Sequence, residues 1–330
     1  MKHPLQHAIA LTVAFGLASA AAAQSRSTGS EQVYPVKPIR MVVVSAPGGT
    51  TDALARAFSQ RLADSFGQPV VIDNKPGGGG VIAAETVARA TPDGYTLLLA
   101  NLSYSLMPVL HSKLSFDAAK DFSPIALLGL TNSVLVANIA LPVKSVQELI
   151  AYSKARPGGL DYAGGTTGAT AHLSGELFKM MTGANLTHIP YKGTGAAITA
   201  LIGGEAQIAF LTLPPCVPHI QSGRLHALAI GSSKRSIALP ELPTVAESGV
   251  PGFDVSAWNG ILAPRGLAKP LVIRLNKEFN RIAENPEVRD RAQSQGTELA
   301  DLTPEQFGAF MAAQMAKWAK VAKASGMRAD

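Results

Sequence analysis

From Ile39 onward, short β-branched runs alternate with stretches whose apolar residues recur at helical spacing, and this alternation limits the fold more than any other feature of the chain. The first round reads strand "IRMVVV", a helix from Asp52 with Leu54, Phe58, Leu62 and Phe66 on one face, strand "PVVID", helix "VIAAETVARA" and strand "TLLLA". The second runs from "SVLVAN" through helix "VQELIAYSKA", strand "LDYA", helix "AHLSGELFKMM", strand "THIPY", helix "AAITALIGG" and the strands "AQIAF" and "LHALAI". Repeats of this kind build parallel sheets covered by helices, because a parallel neighbour is reached only through a crossover. Two rounds predict two α/β lobes.

The Pro- and Gly-rich "LPELPTVAESGVPGFDVSAWNGILAPRG" is too irregular for a further strand–helix–strand unit and reads as a connection returning the chain to the first lobe, whose outer surface the last helices then cover. Lobe 1 is expected to comprise residues 34–130 and 256–330, lobe 2 residues 131–255, and two chain crossings make a hinge. Ser145 with Glu148, and Thr303 with Gln306, have the spacing of capping boxes, and Pro304 suits the first helical position. The stripe Phe307, Phe310, Met311, Met315, Trp318 and Val321 on the terminal helix reads as core packing.

The first 23 residues stand apart. A short basic start, an apolar run and Ala21-Ala22-Ala23 predict a secretory signal peptide cleaved before Gln24, and the run is shorter than the ~20 residues a bilayer span needs. About 300 residues then remain, enough for two cores. A single cysteine, Cys216, leaves no internal disulfide and no thiolate zinc site. Lys and Arg outnumber Asp and Glu by 29 to 23 without forming a basic run, which argues against nucleic acid as a partner and is compatible with a small anionic one.

Gly-Gly-Thr-Thr occurs twice between a strand and a helix, at 48–51 and 164–167, and a third glycine turn, "NKPGGGGVIAAE", follows the second strand. A helix start carries unpaired N–H groups and the positive end of the macrodipole, so such turns suit a carboxylate or phosphate. Thr50, Thr51, Thr166, Thr167 and Thr170 can cap the helices or offer hydroxyls. The alternative for each turn is a tight connection that needs glycine only for φ > 0. Three of them at the carboxyl ends of strands favour a ligand cleft.

The same residues give little support to an enzyme. Gly78-x-Gly80-x-x-Ala83 matches the dinucleotide pattern weakly, since Lys75 and Pro76 intervene and Asn101 stands where a ribose-binding acid belongs. A secreted esterase lacks a Gly-x-Ser-x-Gly elbow: Ser174 lies inside a helical pattern, and His172 cannot face it there. No His-Glu-x-x-His or clustered acids support a metal, and no cofactor is expected.

Seven collinear blocks carry a resemblance: "APGGTTDALAR", "NKPGGGGVIAAETVARATPDGYTLL", "KDFSPIALLG", "AHLSGELFKMMTG", "HIPYKGTGAAITALIGGEAQIAF", "GRLHALAIGSSKRSIALPELPTVAESGVPGF" and "NGILAP". With them the chain from Tyr34 resembles the extracytoplasmic solute receptors of tripartite tricarboxylate transporters, the Bug family. The resemblance implies a type II periplasmic-binding-protein fold, α/β with a ligand cleft and hinge between two lobes, no catalysis, and a small organic acid as ligand. Partners are expected to be membrane transporter subunits or a sensor, and the chain a monomer. It places ligand contacts in lobe 1 at Ser45, Ala46, Pro47, Gly48, Gly49 and Thr50, at Gly78, Gly79 and Gly80, and at Asn101 and Ser103. Across the cleft it points to Thr166, Thr167, Ala169, Thr170 and His172, then Tyr191, Lys192 and Gly193. Two positions depart from the family pattern: Val44-Ser45 replace Pro-Phe, and Asn259 stands where an aromatic residue is usual.

Overall fold

Met41, Val42 and Val43, like Leu97 to Ala100, are fully buried, as strands covered by helices on both faces must be. They belong to the first of two sheets in a computed structural model that describes residues 34–294 and 296–327. The expected signal peptide, residues 1–23, lies outside the described residues. β1 (Ile39–Val43), β2 (Val70–Asn74) and β3 (Thr96–Asn101) are parallel, joined through α1 (Thr50–Phe66) and α2 (Val81–Ala88). A 3-10 turn over Leu102–Leu106 and the short α3 (Met107–Leu110) follow.

β4 (Phe122–Asn138) is a 17-residue strand that serves both sheets. Its first part, to Asn132, pairs antiparallel with β9 (Ser256–Pro264), which in turn pairs antiparallel with β3. From Ser133 onward it pairs with β7 (Ile208–Thr212) and β8 (Leu225–Ile230). The second sheet also holds β5 (Leu160–Gly164) and β6 (Leu186–Pro190), parallel to each other, with β5 parallel to β7. Its helices are α4 (Val146–Ala155), α5 (Thr170–Thr182), α6 (Thr194–Gly203) and α7 (Leu213–Gln221). The segment 239–266, expected to be an irregular connection, therefore ends in a strand at the centre of the first sheet. It lacks the βαβ signature because both its neighbours run antiparallel to it.

The chain finishes with α8 (Lys269–Ala283), α9 (Pro286–Ser294), β10 (Thr297–Leu299), which pairs with β4, and α10 (Pro304–Ser325). α10 opens on a complete capping box: Thr303 Oγ1 accepts from Gln306 N at 3.2 Å and Gln306 Oε1 accepts from Thr303 N at 2.9 Å. At α4 only half of the expected box forms, because Glu148 reaches one residue further back and accepts from Lys144 N at 2.7 Å. α10 was expected on the first lobe alone. It packs on β4 and the 102–106 turn and also on α5 of the second lobe, so one apolar core containing Phe178, Phe253, Trp258, Phe307 and Trp318 runs through both lobes.

Candidate functional site

The turn between β1 and α1 is held by a carboxylate rather than by its threonines. Asp52, in the first turn of α1 and 3% exposed, accepts from Gly48 N at 2.9 Å, from Asn74 Nδ2 at 2.9 Å and from Arg56 Nε at 2.9 Å. Burial opposes its ionisation, but these hydrogen bonds, Arg56 foremost, outweigh that and bring its pKa down to about 2. Asn74 also donates to Ser45 O at 3.0 Å. The Gly48 N–H is thus consumed within the turn, and the first intrahelical bond is Ala53 N to Gly49 O, so the backbone donors that helix geometry leaves without an intrahelical partner are those of Gly49, Thr50, Thr51 and Asp52.

In the third glycine turn, residues 77 to 80 all have positive φ, and a side chain at Gly80 would meet Met107 Cε at 2.9 Å. Ser103 Oγ donates to Gly79 O at 2.9 Å, which ties this turn to the 3-10 turn after β3.

In the second lobe the turn after β5 is braced from inside. Gly168, at φ +80°, donates its N–H to His172 Nδ1 at 3.2 Å, and His172 stacks on His188 with ring centroids 4.1 Å apart. Burial, reinforced by the neighbouring His188, lowers the His172 pKa to about 4, so the ring is neutral and Nδ1 is free to accept.

The two helix starts meet at one cavity of about 230 Å³. Thr50, Thr51, Asn101 and Ser103 wall it from the first lobe, and Gly168, Ala169, Thr170 and Thr212 from the second. Thr131, Trp258 and Asn259, on the strands that link the lobes, form its floor. Through Ala169, Thr170 and Thr212 it adjoins a hollow of about 290 Å³ lined by Gly164, Thr166, Tyr191, Gly193 and Thr194 among others. No ionisable acid or base other than the Tyr191 phenol lines either space. A larger open groove, about 610 Å³, lies elsewhere between α1, β2 and α9, and no glycine turn reaches it.

Of the residues singled out in sequence, the structure brings Thr50, Asn101, Ser103, Ala169 and Thr170 to the cavity, and Thr166, Tyr191 and Gly193 to the adjoining hollow. Ser45, Ala46, Pro47, Gly48 and Gly49, Gly78 to Gly80, Thr167, His172 and Lys192 line neither. His172 is buried beneath its turn, and Lys192 is exposed. Thr131, Thr212 and Trp258 were missed; their strand pairing, which no local signal encodes, puts them there. The esterase candidate Ser174 is fully buried and donates to Thr170 O at 2.9 Å inside α5. Among the described residues no group of three His, Cys, Asp or Glu could hold a metal.

Residues 54–327 match the family described as the tripartite tricarboxylate transporter family receptor. The chain belongs to that family. Protein BugT of Bordetella pertussis is 40% identical over 305 residues, covering 91% of this receptor and 92% of BugT. Among solved structures, R. palustris Rpa4515 with adipate is 35% identical with a TM-score of 0.77, covering 89% of this chain and 99% of that one. MatC from Rhodopseudomonas palustris with bound malate is 33% identical with a TM-score of 0.74, covering 87% and 99%. The fold is therefore the two-lobed binding-protein fold, and membership of a receptor family sets the oxidoreductase and esterase alternatives aside.

Proposed function

We propose that this receptor captures one small organic carboxylate in the cavity between its lobes and presents it to the membrane subunits of a tripartite transporter. The observation that carries the reading is the convergence of α1 and α5, from opposite lobes, on a cavity whose side-chain polarity is almost entirely hydroxyl and carboxamide. Helix starts and neutral donors suit an anion, and hydrogen bonds to a charged acceptor are roughly twice as strong as neutral ones. Two similar proteins hold adipate and malate, which supports a carboxylate as the ligand class. Residues 34–130 with 256–330, and 131–255, are the bodies that close, turning about β4 at Asn132–Ser133, where its pairing partner changes, and about the chain entering β9 at Ser256. Residues 1–23 would direct export to the periplasm, where receptors of this family work.

A thermal-shift screen over mono-, di- and hydroxycarboxylates tests the reading, because a ligand that binds only the native state raises stability by mass action. Saturable stabilisation by at least one acid, bound one per chain, is expected. Stabilisation by none, or unchanged binding after Thr170→Trp fills the cavity, would remove it.

A further inference from the structure

Resting on that reading of the cavity, we propose that Asn259 is a specificity-determining residue which, paired with Asn101, selects an acceptor-only group on the ligand and rejects an ammonium. Asn101 on β3 and Asn259 on β9 are direct partners in antiparallel register. Side chains so opposed have Cβ atoms about 5 Å apart on one face of the sheet. Both residues line the interlobe cavity.

Each carboxamide has its oxygen tied back. Asn101 Oδ1 accepts from the backbone N–H of Ser103 at 3.1 Å, a donor that cannot be reversed, so the amide orientation is set. Asn259 Oδ1 accepts from Thr51 Oγ1 at 2.9 Å. Neither amide nitrogen has a protein partner among the described residues, and neither is among the fully buried unpaired atoms. With the Asn101 oxygen held by Ser103 N and the Asn259 oxygen receiving the Thr51 hydroxyl, the two neighbouring NH₂ groups are left as donors for a ligand in the cavity that both residues line.

Such a pair matches the lone pairs of a carboxylate, or of a carboxylate with an adjacent hydroxyl or keto oxygen. It cannot accept from an ammonium, and no Asp or Glu lines the cavity to neutralise one. A ligand amine placed against this pair would trade water for the threonine and serine hydroxyls of the lining alone, with no carboxylate to balance its charge, and mismatched polar partners of this kind discriminate strongly. Asn259 sits on a strand linking the lobes and is 3% exposed, so its position is held by the sheet and the Thr51 bond rather than by the ligand.

The test is calorimetric binding of acid pairs differing only by an amine, succinate against aspartate and adipate against 2-aminoadipate, to the wild type, Asn259→Asp and Asn259→Leu. The wild type is expected to prefer the amine-free member of each pair by about tenfold or more. Asn259→Asp keeps the shape and the Thr51 bond but replaces two donors by a charge; it should weaken the amine-free acids about 10- to 100-fold and narrow or reverse the preference. Asn259→Leu should weaken them similarly without favouring the amine, and decides the matter should Asn259→Asp fail to fold. Acids that bind the wild type and both variants within twofold, or a wild type indifferent to the amine, overturn the asparagine assignment alone. A wild type that binds no acid overturns the carboxylate reading, and the assignment with it.

Discussion

Asp52 Oδ2 accepts the backbone N–H of Gly48 at 2.9 Å, closing a ring across the start of α1 that also takes in Arg56 and Asn74. The carboxylate fixes where the helix begins, and so where the Thr50 and Thr51 donors point. Its pKa of about 2 lies below the ordinary 3.8, so the unfolded chain binds the proton more readily. By linkage this bond set contributes about 2 kcal/mol above pH 3.8 and loses it as pH falls toward 2. Asp52→Ala should lower the urea-unfolding free energy near pH 7 by about 2 to 3 kcal/mol, leaving the Gly48 and Asn74 donors unpaired. It should also flatten the loss of stability between pH 4 and pH 2. An unchanged acid limb would show that the ring does not hold the turn.

The histidine pair acts in a separate pH window. His172 is held neutral to about 4, whereas the unfolded chain takes up that proton near 6.5. Stability is therefore complete above pH 6.5, falls as pH drops toward 4, and is fully lost to this group below 4, by about 3 kcal/mol. His188, also lowered by burial, adds in the same direction, while Glu176 nearby opposes it for both rings and Lys179 reinforces it. His172→Asn preserves an acceptor for Gly168 N and removes the titration. Its unfolding free energy should vary less between pH 7 and pH 5 than that of the wild type, and an equally steep decline would exclude His172 as the source.

Trp258 lines the interlobe cavity, and its indole N–H is buried without a partner, whereas Trp318 donates to Gln314 Oε1 at 2.9 Å within α10. These are the chain's two tryptophans. An acid that stabilises the protein should shift or quench the tryptophan emission. Trp258→Phe should abolish that response, and Trp318→Phe should retain it. The opposite pattern would place the ligand away from the cavity.

What could be read in advance follows from how local each signal is. The βαβ rounds were legible because burial on both faces of β1 and β3 demands continuous apolar runs, and the full Thr303 capping box because it needs only a four-residue spacing. The first half of β4 and all of β9 were not, since "DFSPIALLGL" and "SAWNGILAP" become strands by pairing antiparallel with each other across 130 residues or so of chain. α7 was hidden for a local reason: Pro214 and Pro215 read as a break, although the first turn of a helix tolerates proline. At the site, glycine turns announced where helices start, but not that Gly48 and Gly168 would spend their N–H groups on Asp52 and His172. The resemblance flagged Asn259 as a departure from the family pattern. Its use became visible only once register set it against Asn101.

Gly175 tests whether α5, whose start walls the cavity, is seated by close packing. It lies in the middle of the helix against the fully buried Tyr162 ring, and a methyl group there would overlap Cε2 and Cζ of that ring. The ring has little room to yield, because its hydroxyl donates to Glu176 Oε1 at 2.9 Å and Glu176 pairs with Lys179 at 3.0 Å. Alanine improves intrinsic helix propensity by about 1 kcal/mol, while overpacking a filled core costs about 1 to 3 kcal/mol. Overpacking should win, so Gly175→Ala is expected to lower the urea midpoint and to weaken ligand binding by displacing Thr170. A variant as stable as the wild type, with undiminished affinity, would mean that α5 slides on its sheet without disturbing the cavity.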